Sequence, residues 1–196
     1  MFVSVLKISA TCCWFVCCSL LISACAPLVL VGGAATAVAV NDNRGHSSLI
    51  EDKDIEYSVS EKLQSDEQLL HETHINITSY NQILLLTGQA PTEELKQRAE
   101  ALAKQEEKIK KIYNEIAVRD TLPFKARNFD FWLSTKIKSK LLGTNDVDGF
   151  NVKVVSSDTT VYLMGLVSRE NARKITQVVA EVQGVTRIVK AFEYID

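Results

Sequence analysis

The 196 residues predict an α+β protein, built as two tandem αββαβ units behind an apolar N-terminal segment and a flexible tether. Three observations carry this. All five cysteines (Cys12, Cys13, Cys17, Cys18 and Cys25) fall in the first 25 residues, so the rest of the chain has no disulfide framework. Asp54–Val118 aligns with Phe131–Ile195 with one small gap, which makes the folded part an internal repeat. Each half then runs through the same succession: an apolar helical face, two alternating runs around a turn, a second helical segment and a closing run. With 46% hydrophobic and 23% charged residues, the chain is not of disordered composition.

The N-terminal segment comes first. Lys7 precedes an apolar stretch around Trp14 to Ile22, and small residues lead to Cys25, the layout of a secretory signal peptide over residues 1–24. A transmembrane helix is the competing reading, because Ile8 to Ile22 runs almost without charge and Pro27 to Val40 is apolar too. Ile22-Ser23-Ala24-Cys25 resembles the bacterial lipobox, in which the cysteine becomes lipidated and N-terminal after cleavage. Several acyl chains on one residue attach a protein stably where a single chain does not, so Cys25 is expected to be the tether. Ala26, not an aspartate, follows it, and under the bacterial sorting rule that resemblance implies the outer membrane. Residues 25–48, Gly/Ala/Val-rich and then polar through "NDNRGHSS", read as a spacer, or as a stretch lying in the membrane surface.

The first unit is expected over 49–120. Ile55, Val59 and Leu63, four apart, give one face of a helix. "HINIT" and "ILLLTG" are strands around the turn "SYNQ"; "PTEELKQRAEALAKQ" is a helix with Pro91 at its start; "IYNEIAV" closes the unit. After a linker at 121–128, the second unit over 129–196 repeats the order. Leu133, Ile137 and Leu141 form the helix face, "NVKVV" and "TVYLMG" flank "SSDT", "SRENARKITQVVAEV" offers Ser168 as an N-cap, and "TRIVKAFEYI" ends it. Gly88 and Gly165 are read as turn glycines needing positive φ, and Gly184 as a further structural turn. Units this small are marginal alone, so the two should pack together.

Charge distinguishes the halves. Glu51–Asp120 carries 15 acidic and 9 basic residues, whereas Asn128–Asp196 carries 8 and 9. Clustered Lys/Arg gain about 1 kcal/mol each near an anionic membrane, so only the second unit approaches such a surface cheaply. Its helix "FDFWLSTKIKSKLL" places Phe129, Trp132 and Lys136 on one stripe, with Lys138 and Lys140 on other flanks. An indole beside lysines suits the headgroup region; the alternative packs Trp132 under its own sheet or against the first unit.

The units resemble BON domains, chiefly through "FWLSTKIKSKLL", "NVKVVSSDTTVYLMGLVSRENA", "INITSYNQILLLTGQAP" and "VQGVTRIVKAF". Two such units behind a lipobox are similar to the dual BON-domain outer-membrane lipoproteins. The first unit departs where Gln105-Glu106-Glu107-Lys108 stands opposite Glu181-Val182-Gln183-Gly184 and lacks the family's Gly-Val turn. The resemblance implies a non-catalytic, phospholipid-binding lipoprotein, facing the periplasm, that helps maintain the outer-membrane barrier and in some relatives gathers at the division site.

Other chemistry is thinly represented. His71 and His74 lack a third ligand motif, and Asp146, Asp148 and Gly149 lack the remaining positions of a calcium loop, so no metal and no cofactor are expected. No phosphate loop, nucleophile elbow or Ser-His-Asp arrangement suggests an enzyme. The expected partner is an anionic phospholipid membrane, with no nucleic acid and a monomeric state. A second reading makes the acidic first unit an adaptor that docks an envelope assembly or peptidoglycan-linked complex.

Overall fold

The computed structural model describes residues 46–195; the expected signal peptide, Cys25 and most of the spacer lie outside them. The first unit runs α1 (His46–Gln64), α2 (Glu67–Glu72), β1 (His74–Tyr80), β2 (Ile83–Ala90), α3 (Glu93–Ala103) and β3 (Lys111–Val118). The second runs α4 (Phe124–Leu142), β4 (Val152–Ser157), β5 (Thr160–Val167), α5 (Arg169–Ala180) and β6 (Arg187–Tyr194). Each unit holds a three-stranded sheet, ordered β1-β2-β3 or β4-β5-β6, in which the central strand is antiparallel to its hairpin partner and parallel to the last strand.

Two helix starts differ from the sequence reading. Helix α1 begins at His46, inside the expected spacer, and α4 begins at Phe124, inside the expected linker. Pro123 occupies the N-cap of α4 with no side-chain cap, so the usual sequence signal for a helix start is missing there. Helix α2 was unforeseen, although Asp66 caps it by accepting from Leu69 N at 3.1 Å. The turns are also tighter than expected: Ser79, Tyr80, Ser156 and Ser157 belong to strands.

Strand alternation places the cores. Leu84 and Leu86 of β2 face Ile55, Val59, Leu63, Leu95 and Ala99, while Val161 and Leu163 of β5 face Leu133, Ile137, Leu141, Ile175 and Val179. The opposite faces of the two sheets meet each other, with Tyr80, Ile83 and Leu85 packed against Tyr162, Met164 and Ala191 in a third apolar cluster. All eight residues of β2 are therefore buried, and "ILLLTG" reads as a continuous apolar run because both of its faces are covered. The expected packing of the two units is present, and it is sheet on sheet.

The hairpin turns are the two residues Asn81-Gln82 and Asp158-Thr159, all four with positive φ (51°, 67°, 49° and 60°). Positive φ at both central positions is the signature of the type I′ turn that suits a twisted hairpin. Gln82 and the β-branched Thr159 are unusual there, and a buried carboxylate holds each turn. Asp52 of α1 accepts from Asn81 N and Gln82 N, both at 2.8 Å, and from Ser79 Oγ at 2.7 Å. Asp130 of α4, its repeat counterpart, accepts from Asp158 N at 2.8 Å and Thr159 N at 3.1 Å.

The glycine expectation needs correction. Gly88 and Gly165 lie within strands β2 and β5, not in turns. A Cβ on Gly88 would stand 1.9 Å from the His74 carbonyl oxygen, and one on Gly165 would stand 2.6 Å from that of Asn151. Close approach of the preceding strand is what requires both glycines; Gly88 also has φ +112°. Gly184 does sit in the turn before β6, at φ +107°. Its counterpart region in the first unit turns without positive φ; Glu106 anchors it instead, accepting from Ser58 Oγ at 2.5 Å and Lys62 Nζ at 3.0 Å.

Polar contacts also cross the interface. Tyr80 Oη donates to the Asn151 carbonyl at 3.0 Å, and Lys153 Nζ donates to Glu56 Oε1 at 3.0 Å and to the Ser79 carbonyl at 3.2 Å. Burial opposes ionisation of Glu56, but bonds from Lys53, Lys153 and Ser79 N outweigh it and hold the carboxyl below its ordinary value of 4.5. A depressed folded value means that Glu56 stabilises fully above the ordinary range, with its contribution lost as pH falls through the folded value. The stability difference between the parent and Glu56→Gln, measured by urea unfolding, should be constant from pH 7 to pH 5 and shrink below about pH 4.5.

Candidate functional site

Helix α4 packs Leu133, Ile137 and Leu141 into the core and turns its remaining surface outward. Phe124, Phe129, Phe131 and Trp132 are all exposed on it, Trp132 by 50% and Phe131 by 77%. Exposed aromatics clustered on one helix are informative where scattered ones are not. Trp132 is packed neither under its own sheet nor against the first unit.

On one flank the side chains form a stack. The Phe129 and Trp132 rings lie 5.6 Å apart, and Lys136 Nζ sits 4.8 Å from the Trp132 ring centre, within cation–π range. The Gly184 turn buttresses this stack: a Cβ there would press to 3.1 Å from Phe129 Cζ, and Lys136 Nζ donates to the Gln183 carbonyl at 3.4 Å. Leu122, Pro123, Lys125, Ala126 and Phe129 edge a small, largely apolar groove beside it.

The two remaining lysines do not join the stack. Lys140 pairs with Glu181 at 3.2 Å. Lys138 points to the other flank, where its ammonium donates to the carbonyls of Gly149, Phe150 and Val152 at 2.8, 3.2 and 2.7 Å. It pins the loop before β4 and is not part of the aromatic face. Phe124, Phe131 and Phe150, exposed by 61–77%, were not singled out by the sequence reading. Phe124 and Phe131 fall off the apolar stripe of α4, and that off-stripe position in a core-forming helix was the signal available.

The repeat provides an internal control. With Ile55 opposite Leu133 and Asp52 opposite Asp130, the positions of Phe129, Trp132 and Lys136 are held in the first unit by Glu51, Asp54 and Ser58. The same scaffold thus presents aromatics and a cation in one copy and carboxylates in the other.

Other sequence candidates have structural places. Asp148 accepts from Phe150 N at 3.2 Å and Asn151 Nδ2 at 2.6 Å, and Asn171 Oδ1 accepts from Asp148 N, so this loop is tied to the start of α5. His71 lies in α2, while His74 begins β1 and faces Arg127. Among the described residues, no three His, Cys, Asp or Glu side chains come together as a metal site. Among the same residues, no helix is long and apolar enough to cross a membrane.

Residues 51–120 and 129–196 each match the BON domain, together most of the chain. The chain belongs to the BON-domain family. The Outer membrane lipoprotein DolP of Haemophilus influenzae is 33% identical over 91% of this chain and 92% of its own length. The 21 kDa hemolysin of Actinobacillus pleuropneumoniae is 35% identical over 79% of each chain. A solved structure of CdsD, a structural protein of the Type III secretion system of Chlamydia trachomatis, covers 71% of this chain and 91% of that one at 9% identity, but its TM-score of 0.30 adds nothing to the fold assignment. The two αββαβ units are BON domains, and the protein is a BON-domain lipoprotein of the outer membrane.

Proposed function

We propose that the protein is a non-catalytic membrane-binding lipoprotein that touches anionic phospholipid through α4 of its second BON domain and so supports outer-membrane integrity, including at the division site. Cys25 carries the acyl chains, and the BON domains face the periplasm. One observation carries the reading: Phe129, Trp132 and Lys136 form an exposed aromatic and cationic stack where the first domain has Glu51, Asp54 and Ser58. A ring pair can enter the headgroup layer while the ammonium pairs with phosphate. The tether raises the local concentration, so a weak second contact is effective. Phe124 and Phe131 are further exposed aromatics on the same helix.

Vesicle co-sedimentation of the chain with Cys25 replaced by serine isolates the second contact from the anchor. Binding to phosphatidylglycerol vesicles should weaken as salt shortens the Debye length from about 10 Å at 0.1 M to about 3 Å at 1 M. Trp132→Glu should cost about 2 kcal/mol, a loss of about 30-fold, because a buried ring is replaced by a repelled carboxylate. Undiminished binding by that variant would overturn the assignment of the face.

A further inference from the structure

The other flank of α4 borders a second feature, a cleft of about 530 Å³ between the two BON domains, lined largely by polar residue types. His74 and Asn76 of β1, Gln89 of β2, Arg127, Phe131 and Lys138 of α4, and Val154 to Ser157 of β4 line it. Both hairpin edges therefore contribute to one opening.

Its donors are unevenly used. Arg127 Nη1 lies 3.2 Å from His74 Nδ1. Burial and the Arg127 charge both hold His74 below the ordinary imidazole range, so the ring is neutral at pH 7 and accepts this bond. Among the described residues, Arg127 Nε and Ser156 Oγ are buried and have no hydrogen-bond partner. The repeat shows that the serine's state is particular to this domain. Its counterpart Ser79 donates to Asp52 at 2.7 Å, whereas Asp130 accepts from the two turn amides. The cleft's one carboxylate is thus committed to the turn, and Lys138 adds positive charge while holding carbonyls. On the far side of His74, the neighbouring groove brings the uncharged Ser60, Gln64 and Thr73.

We propose that this interdomain cleft is a binding site for a phosphate ester, whose oxygens accept from the Arg127 guanidinium and the Ser156 hydroxyl. Arg127 of α4, Ser156 of β4 and His74 of β1 line one cleft; donors drawn from three elements suit a tetrahedral anion better than a planar carboxylate, and the guanidinium fork is made for two of its oxygens. With the anion in place His74 gains a counter-charge, so its protonated form is favoured and the ring becomes a further donor. The phosphate can come from a lipid headgroup or from a soluble ester.

The test uses the full acylated chain in nonionic micelles, with histidine labelled for NMR. Inorganic phosphate and glycerol phosphate should shift the His74 ring signal saturably and raise the midpoint of its titration, with His71 unmoved and chloride at equal ionic strength without effect. Arg127→Gln should weaken phosphate binding by at least about tenfold, and Ser156→Ala, a smaller change that leaves the interface bonds in place, by about threefold to tenfold. If phosphatidylglycerol vesicle binding, measured with Cys25 also replaced by serine, falls in the same two variants, the ester is a lipid headgroup; if it persists while the phosphate response is lost, the ester is soluble. A His74 signal that phosphate moves no more than chloride does, or that both variants leave responsive, would overturn the proposal. Trp132→Glu should retain the phosphate response, so failure of the membrane face and failure of the cleft are separable.

Discussion

Gly88→Ala should unfold the first BON domain at temperatures where the parent is folded. The new methyl group would lie 1.9 Å from the His74 carbonyl oxygen and 3.3 Å from Ile75 Cα, both backbone atoms of the paired strand β1. Backbone cannot swing aside as a side-chain tip can, and β1 is held along its length by pairing from His74↔Gln89 to Tyr80↔Ile83. The residue also sits at φ +112°, a conformation in which an L side chain is strained. Clash and strain act together, so the loss should be about 4 kcal/mol or more, a large part of what a small domain possesses. Urea unfolding followed by circular dichroism would show the midpoint collapsing. Gly165→Ala makes the internal comparison, since its methyl would stand 2.6 Å from the Asn151 carbonyl oxygen without the positive φ. It should cost clearly less, about 2 kcal/mol. Equal, small effects at both sites would mean that the strands do not approach as closely as described.

The same glycines show where sequence reasoning reaches its limit. A glycine after an apolar run signals that a side chain is excluded, but whether a turn or a crossing backbone excludes it depends on a strand 14 residues away. Periodicity was a better guide because it records burial directly. The face Ile55, Val59 and Leu63, the face Leu133, Ile137 and Leu141, and the order of helices and strands were all legible for that reason. Start signals are weaker: α4 opens on Pro123 without a polar cap, so its first turn carries the sequence pattern of a linker. At the candidate site, the spacing of Phe129, Trp132 and Lys136 placed them on one stripe, and their rings and ammonium do stack. Lys138 is beyond the reach of spacing, because the carbonyls that hold it come from the loop before β4 and from that strand's first residue, and no local pattern dictates the loop's path. The two aspartates that pin the hairpins were missed too. Each sits on a helix that otherwise reads as a plain amphipathic segment, and its partners lie 27 to 30 residues further along the chain.

Those aspartates carry the second large effect. Asp52→Ala should destabilise the protein by about 4 kcal/mol, more than Asp130→Ala at about 3 kcal/mol, because removing a buried acceptor strands every donor that used it. Asp52 is 3% exposed and accepts three bonds, one of them from the wholly buried Ser79 hydroxyl; Asp130 accepts two. In both cases the stranded amides belong to residues at positive φ, so the turn loses the contacts that hold a strained backbone in place. Asp52→Asn keeps one acceptor oxygen and should recover about half of the loss. The consequence reaches past the turn, because Asn81 Nδ2 donates to Glu193 Oε2 at 2.6 Å and Tyr80 Oη reaches the Asn151 carbonyl, both across the domain interface. Hydrogen exchange would separate the two aspartates. Asp52→Ala should release protection in β1, β2 and the interface, whereas Asp130→Ala should release it in β4, β5 and the turn under α4, loosening the groove that Phe129 shares with Asp158 and Thr159 and with it the proposed membrane face. If both variants unfolded with the parent's midpoint, the hairpins would be held by strand pairing alone and the carboxylates would be dispensable.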